Sequence, residues 1–272
     1  MKRKLKLITL IPLCMTMTFQ SFADGFAKQK EIITAKDVFG EDDDYDDVVD
    51  IMEDDFVKVP YRNLKVLKTE VTQDMYISVM GENPSYFSGG YRPVERVSMY
   101  DAIYFCNKLS VKHGKEPVYT VNGESDVKKW GYAPHRDELI EGVIKQKDDA
   151  NGYRLPKSYE WLSAAKGGQD FTYAGSNNIL DVGWCSLNSD DTTKTVKGLK
   201  PNGYGLYDMS GNVREWVWLD TLYEGDRFGV TCGGSYKNKP EDLYMNLASL
   251  HSDVASIGRP MIGFRIVYNP SK

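Results

Sequence analysis

The spacing of apolar residues divides the chain into a helical first half and a loop-rich second half. Val71 to Gly81 reads as a helix: Thr72 is placed to cap it, Asp74 suits its positive end and Gly81 can stop it. Ser98-Met99-Tyr100-Asp101 has the form of a capping box. It opens a second helix with Ala102, Phe105, Cys106 and Leu109 on one face, and there Cys106 reads as a small core residue. A third helix is predicted from about Ser158 to Lys166, with Trp161, Leu162 and Ala165 inward and Gly167-Gly168 ending it. Beyond Gly168, Gly, Asn, Asp and Ser become frequent and apolar runs shorten to two or three residues, as expected for turns and short strands. Only Arg227 to Cys232 and Ile262 to Tyr268 alternate well enough to predict strands.

Two segments precede this domain. Lys2, Arg3, Lys4 and Lys6 lead into the apolar run Leu7 to Phe19, and Ser21-Phe22-Ala23 follows. A basic start, a short apolar stretch and a small-residue site predict a signal peptide over 1–23 and an exported chain: periplasmic, cell-surface or secreted. The run is short for a bilayer span, so no transmembrane segment is expected after cleavage. Residues 24–57 read as an acidic linker, because ten of the fifteen residues from Glu41 to Asp55 are Asp or Glu. The folded domain is then 58–272.

Composition narrows the function. Of 272 residues 41% are hydrophobic and 12% aromatic, and the net charge of −5 becomes −9 once the basic leader is removed. Phosphate binding needs a Lys/Arg surplus, so nucleic acid is excluded as a partner. Cys106, Cys185 and Cys232 form no CxxC pair, which excludes a disulfide-dense scaffold and leaves any single pairing open.

Several phrases occur in order: Glu70-Val71-Thr72, Asn83-Pro84-Ser85, Pro93 to Ser98, Ala102 to Ser110, Gly152 to Pro156, Glu160-Trp161, Pro201 to Trp216, Gly233 to Tyr236 and Gly263-Phe264-Arg265. This series resembles the sulfatase-modifying-factor family, whose founding members are the formylglycine-generating enzymes. The resemblance implies an α+β domain of C-type-lectin-like fold, with two to three helices, small antiparallel sheets and much irregular loop. Where that family has a Thr after Arg-Leu-Pro to cap the third helix, this chain has Lys157, so Ser158 is expected to serve.

The family's oxidase chemistry uses two copper(I)-binding cysteines shortly after Gly-Gly-Ser, a soft thiolate pair suited to a soft metal. Here Tyr236 to Met245 contains no Cys, so copper is not expected and no catalytic residue is assigned. His113, His135 and His251 are too scattered to suggest a histidine-held iron, and no Gly-x-Ser-x-Gly elbow is present. The resemblance also implies a structural Ca2+ ion, with carboxylates from Asp208 and Glu215, carbonyls from Gly211 and Val213, and Asn212 bracing the turn. Binding of a glycan or protein ligand is expected at the late loops, from Tyr236, Lys237, Asn238, Tyr244 and His251. The alternatives are a copper-dependent formylglycine-generating oxidase using Cys185 or Cys232, and a scaffold in an envelope assembly.

Overall fold

The computed structural model describes residues 49–60, 62–219 and 228–270, together with the backbone of Ile33–Thr34. The segment predicted as a signal peptide and most of the predicted acidic linker lie outside the described residues. Within them, no helix is long and apolar enough to cross a membrane.

Local chemistry sets the helices. In α1, Gln73–Met80, the Thr72 hydroxyl accepts from the Met75 amide at 3.3 Å, and Gly81 closes the helix at φ 85°. In α2, Met99–Lys112, the Asp101 amide donates to Ser98 Oγ at 2.9 Å while Asp101 Oδ2 accepts from the Ser98 amide at 2.8 Å, so the capping box is complete. The third helix, α3 (Ser158–Lys166), starts differently from expectation. Lys157 is its cap residue, with no side-chain cap bond, and Ser158 lies inside the helix; Glu160 Oε2 accepts the Lys157 amide at 2.8 Å, the reciprocal half of a capping box. Glu160 is in turn held by both terminal nitrogens of Arg154, at 2.6 and 2.9 Å.

The strands form small sheets. β1 (Ile33–Thr34) pairs with β4 (Glu82–Asn83). β2 (Phe56–Lys58) and β3 (Lys65–Leu67) form an antiparallel pair that β11 (Val267–Tyr268) extends, and β5 (Tyr119–Val121) pairs with β6 (Ile144–Gln146). The largest sheet has the order β10 (Ile262–Gly263), β7 (Arg214–Val217), β8 (Phe228–Cys232) and β9 (His251–Val254). Only its β10–β7 pair is parallel. The predicted strand Ile262 to Tyr268 is thus two strands in two sheets. Between them the Phe264 and Ile266 carbonyls accept from the Val71 and Leu67 amides, at 2.9 and 3.0 Å.

The main core lies beneath α1 and α2. Tyr76 stacks on Phe105 at 5.3 Å, and Phe105 meets Phe264 edge-on at 5.3 Å. Each such fully buried aromatic contributes about 1.5–3 kcal/mol. A second cluster packs Trp161 of α3 with Leu64, Val66, Met209 and Val217. The core also takes in Ile51 and Phe56, which the acidic pattern had assigned to the linker. Asp50 secures this approach by accepting from Lys112 Nζ at 2.9 Å and facing His113 Nε2 at 3.1 Å.

Candidate functional site

A buried polar hub organises the loop-rich half. Glu215 on β7 meets Arg265 twice, Nε to Oε2 at 2.8 Å and Nη2 to Oε1 at 2.7 Å, and Trp161 Nε1 adds a third donor at 2.6 Å. The remaining Arg265 donors reach the Leu67 carbonyl at 3.0 Å and the Tyr207 carbonyl at 2.9 Å. Glu70 joins the same hub, accepting from Asn212 Nδ2 at 2.9 Å and the Val213 amide at 3.1 Å. Asp208 accepts the Lys197 amide at 2.9 Å through Oδ2, while its buried Oδ1 has no partner. Gly211 takes φ 87°, and a Cβ there would come within 2.1 Å of the Trp184 carbonyl, so only glycine fits.

This hub tests the expected calcium set. Burial first, then the neighbouring Asp208 and Glu215, push the Glu70 carboxyl well above its usual range; burial likewise raises Asp208 to about 6. Three buried carboxylates face one guanidinium, and Asp208 presents an oxygen with no donor. Asp208 Oδ1 is the kind of hard oxygen donor that calcium takes, but among the described residues no group of three or more His, Cys, Asp or Glu side chains is arranged to hold a metal ion. Glu215 is the most heavily committed member, since both its oxygens already accept from protein donors.

The predicted ligand residues do not form one surface. Tyr236 is buried, 1% exposed, and its ring meets Phe87 edge-on at 5.5 Å. A ligand residue has to be exposed, so the expected role for Tyr236 is not met. The reason for the difference is the pair Gly233 and Gly234, at φ 94° and 72°, which turns the chain inward before Ser235. Asn238 is likewise a turn residue: its Oδ1 accepts from the Ser235 amide and hydroxyl, both at 2.9 Å, and its Nδ2 donates to Asp242 at 3.2 Å. Lys237 is exposed, with Nζ 3.9 Å from Asp191.

Tyr244 and His251 do meet, stacked at 4.0 Å, and Arg214 lies 5.1 Å from the Tyr244 ring centre. The short turn Leu243–Met245 separates two surfaces. Its Leu243 and Met245 line an open cleft of about 530 Å3, with Lys166 and Asp170 to Tyr173 on one wall and Pro240 to Asp242 and Asn246 to Ala248 on the other. Phe171 and Leu243 are 41% and 73% exposed there. Tyr244 is not part of the cleft lining.

Among the described residues, Cys106, Cys185 and Cys232 are free and buried. Cys185 packs with Ile179 and Met245, whereas Cys232 belongs to the Trp161 cluster. Burial pushes the Cys232 thiol up, the opposite of what a metal-binding thiolate requires.

The family model described as "Sulfatase-modifying factor enzyme 1-like domain" matches residues 21–270. The chain belongs to this family. Among relatives of this sulfatase-modifying-factor domain, the chaperone protein LppX of Paenibacillus barcinonensis is 43% identical over 174 residues, covering 56% of this chain and 60% of that protein. The formylglycine-generating enzyme of Thermomonospora curvata is 39% identical over 80 residues, 24% of this chain and 26% of the enzyme. These matches therefore span less than two thirds of either relative. Among solved structures, Treponema denticola variable protein 1 superposes with a TM-score of 0.68 at 31% identity, covering 82% of this chain and 94% of that one. The α+β fold of this family is thereby established.

Sequence reasoning missed Glu70 and Arg265 as hub members, although both stand in quoted family phrases. It also missed Glu95. That residue is buried and accepts the Phe87 amide at 2.7 Å through Oε1, while Oε2 has no partner. An acidic residue between Val94 and Val97 was the available signal.

Proposed function

We propose that this sulfatase-modifying-factor domain is an exported, non-catalytic binding module. The observation that carries the reading is the segment 236–245. It holds no Cys where the family's copper-binding pair would fall, and its end forms a wall of the open cleft instead. Exposed Phe171 and Leu243 offer apolar anchors, with Lys166, Asp170 and Glu241 as polar groups that can fix orientation. A glycan or a protein segment is the ligand expected there.

The basic leader and apolar run of residues 1–23 support export. A structural calcium ion is proposed at Asp208, Glu215 and the carbonyls of Gly211 and Val213, where it would neutralise the hub's excess carboxylate and cross-link loops. Asn212 would brace that turn, since its side chain already bonds Glu70.

Glycan and peptide arrays probed with the mature chain test the binding reading, alongside Phe171→Ala and Leu243→Ala. A ligand lost in both variants supports it. Oxygen uptake on a Cys-containing sulfatase-type peptide after copper(I) loading would overturn it and restore the oxidase alternative.

A further inference from the structure

A second polar site lies on the other side of the Leu243–Met245 turn. Asp253 on β9 binds two guanidinium groups: Arg259 Nε at 2.7 Å from Oδ1 and Arg214 Nη2 at 3.2 Å from Oδ2. Asp253 Oδ1 also accepts the Val254 amide at 2.9 Å. Two positive charges thus share one carboxylate, and one charge within the cluster is left over. Arg214 and Asp253 side chains are only 7% and 10% exposed, so the pair is built into the domain, whereas Arg259 is 41% exposed. Among the described residues the terminal nitrogens of Arg259 have no protein partner. Asp253 holds that guanidinium by its inner edge and leaves the outer fork for a planar or tetrahedral oxyanion.

An aromatic platform adjoins it. Tyr244 is 39% exposed, its ring backed by the His251 imidazole at 4.0 Å and 27°, with Arg214 at 5.1 Å. His251 Nε2 is buried without a partner. The ring is therefore fixed before any ligand arrives, which cuts the entropy lost on binding. Leu250, 50% exposed, adds apolar surface along the same segment.

We propose that Arg259, Arg214 and Tyr244 form a binding site for an acidic saccharide unit, the guanidinium fork taking its carboxylate or sulfate and the tyrosine packing against its ring. The chain's overall charge of −5 disfavours extended polyanions at long range. A single acidic group on a short oligosaccharide meets the local positive site without that penalty. The proposal deepens the binding-module reading and rests on it for the kind of ligand, while using a surface separate from the cleft.

Calorimetric titration of the mature chain with methyl glucuronide, methyl glucoside and glucose 6-sulfate tests it. The expected result is binding of an acidic sugar at least tenfold tighter than of the neutral glucoside. The ratio of glucuronide to sulfate then tells which oxyanion the fork prefers. Arg259→Gln should lower the acidic-sugar affinity tenfold or more, with an unchanged melting temperature showing that the fold persists. Tyr244→Ala should weaken the acidic sugar and glucoside alike. Equal binding of glucuronide and glucoside, binding of acetate as tight as glucuronide, or no effect of Arg259→Gln would each overturn the proposal. Cleft ligands found on the arrays are read through Leu243→Ala, so an array ligand lost in that variant, together with acidic sugars that fail to bind the parent, would sink this site and leave the module reading standing.

Discussion

Glu95 offers a stringent test of the packing argument. Its carboxyl is buried, accepts the Phe87 amide through one oxygen and leaves the other without a partner; burial raises its pKa from 4.5 to about 8. The folded chain therefore binds a proton there that the unfolded chain has already released at neutral pH. The stabilising contribution is complete below the unfolded value of 4.5 and is lost as pH rises through about 8. A rise of this size corresponds to about 5 kcal/mol between the two limits. Glu95→Gln keeps an acceptor for Phe87 and cannot ionise. At pH 4.5 the variant should match the parent to within about 1 kcal/mol, because both then place a neutral polar group at the unpartnered position. At pH 8.5 it should be more stable by about 3–5 kcal/mol, which for a domain of this size is about 6–20 °C in melting temperature. Thermal melts of both proteins across pH 4.5–8.5 measure this. An offset between them that does not change with pH would refute the reasoning, whatever its sign.

Other changes should report on the hub and the helix ends. Chelation should lower the melting temperature and added calcium should restore it; Asp208→Ala should abolish that difference, and a parent indifferent to chelator would remove calcium from the account. Glu215→Gln should cost about 3–5 kcal/mol in urea unfolding, because it leaves the Arg265 charge buried beside a neutral partner. A loss under about 1 kcal/mol would show that the pair is not structural. Ser98→Ala should cost about 1 kcal/mol by the same measurement, since it removes half of the capping box on α2. Gly211→Ala should give little soluble protein, and a normally folded variant would contradict the close approach to the Trp184 carbonyl.

The parts of the fold that were legible depend on neighbours in sequence. Thr72 with Gly81, and Ser98 with Asp101, mark helix ends because the capping partners lie within a turn of each other. Lys157 shows the limit of that rule: its helix starts at Ser158 without a capping hydroxyl, its end held by Glu160, which Arg154 orients. Ile262 to Tyr268 alternates as one strand, but alternation says nothing about partners. The chain leaves one sheet after Gly263 and enters another at Val267. Ile51 and Phe56 were hidden by the acids around them, although apolar side chains at those two positions suffice to dock the segment. The site was legible as a region and not as residues. Tyr236 looked like an exposed aromatic after a glycine turn, yet the hand of that turn, which aims it inward, is a conformational fact. Arg214, Asp253 and Arg259 gave no warning because their meeting depends on how β7, β9 and the following loop come together.

The pairing of β3 with β11 has a consequence for how such a domain can be used. Lys65 lies opposite Tyr268 and Val66 opposite Val267, so the strand near the start of the fold and the strand at its end run side by side. A chain that enters and leaves at one seam behaves as a cassette. It can be spliced into a surface loop of a host protein, or hung from a tether, without stretching either junction. Evolution can then move the whole unit among architectures while the hub, the cleft and the arginine cluster travel with it intact.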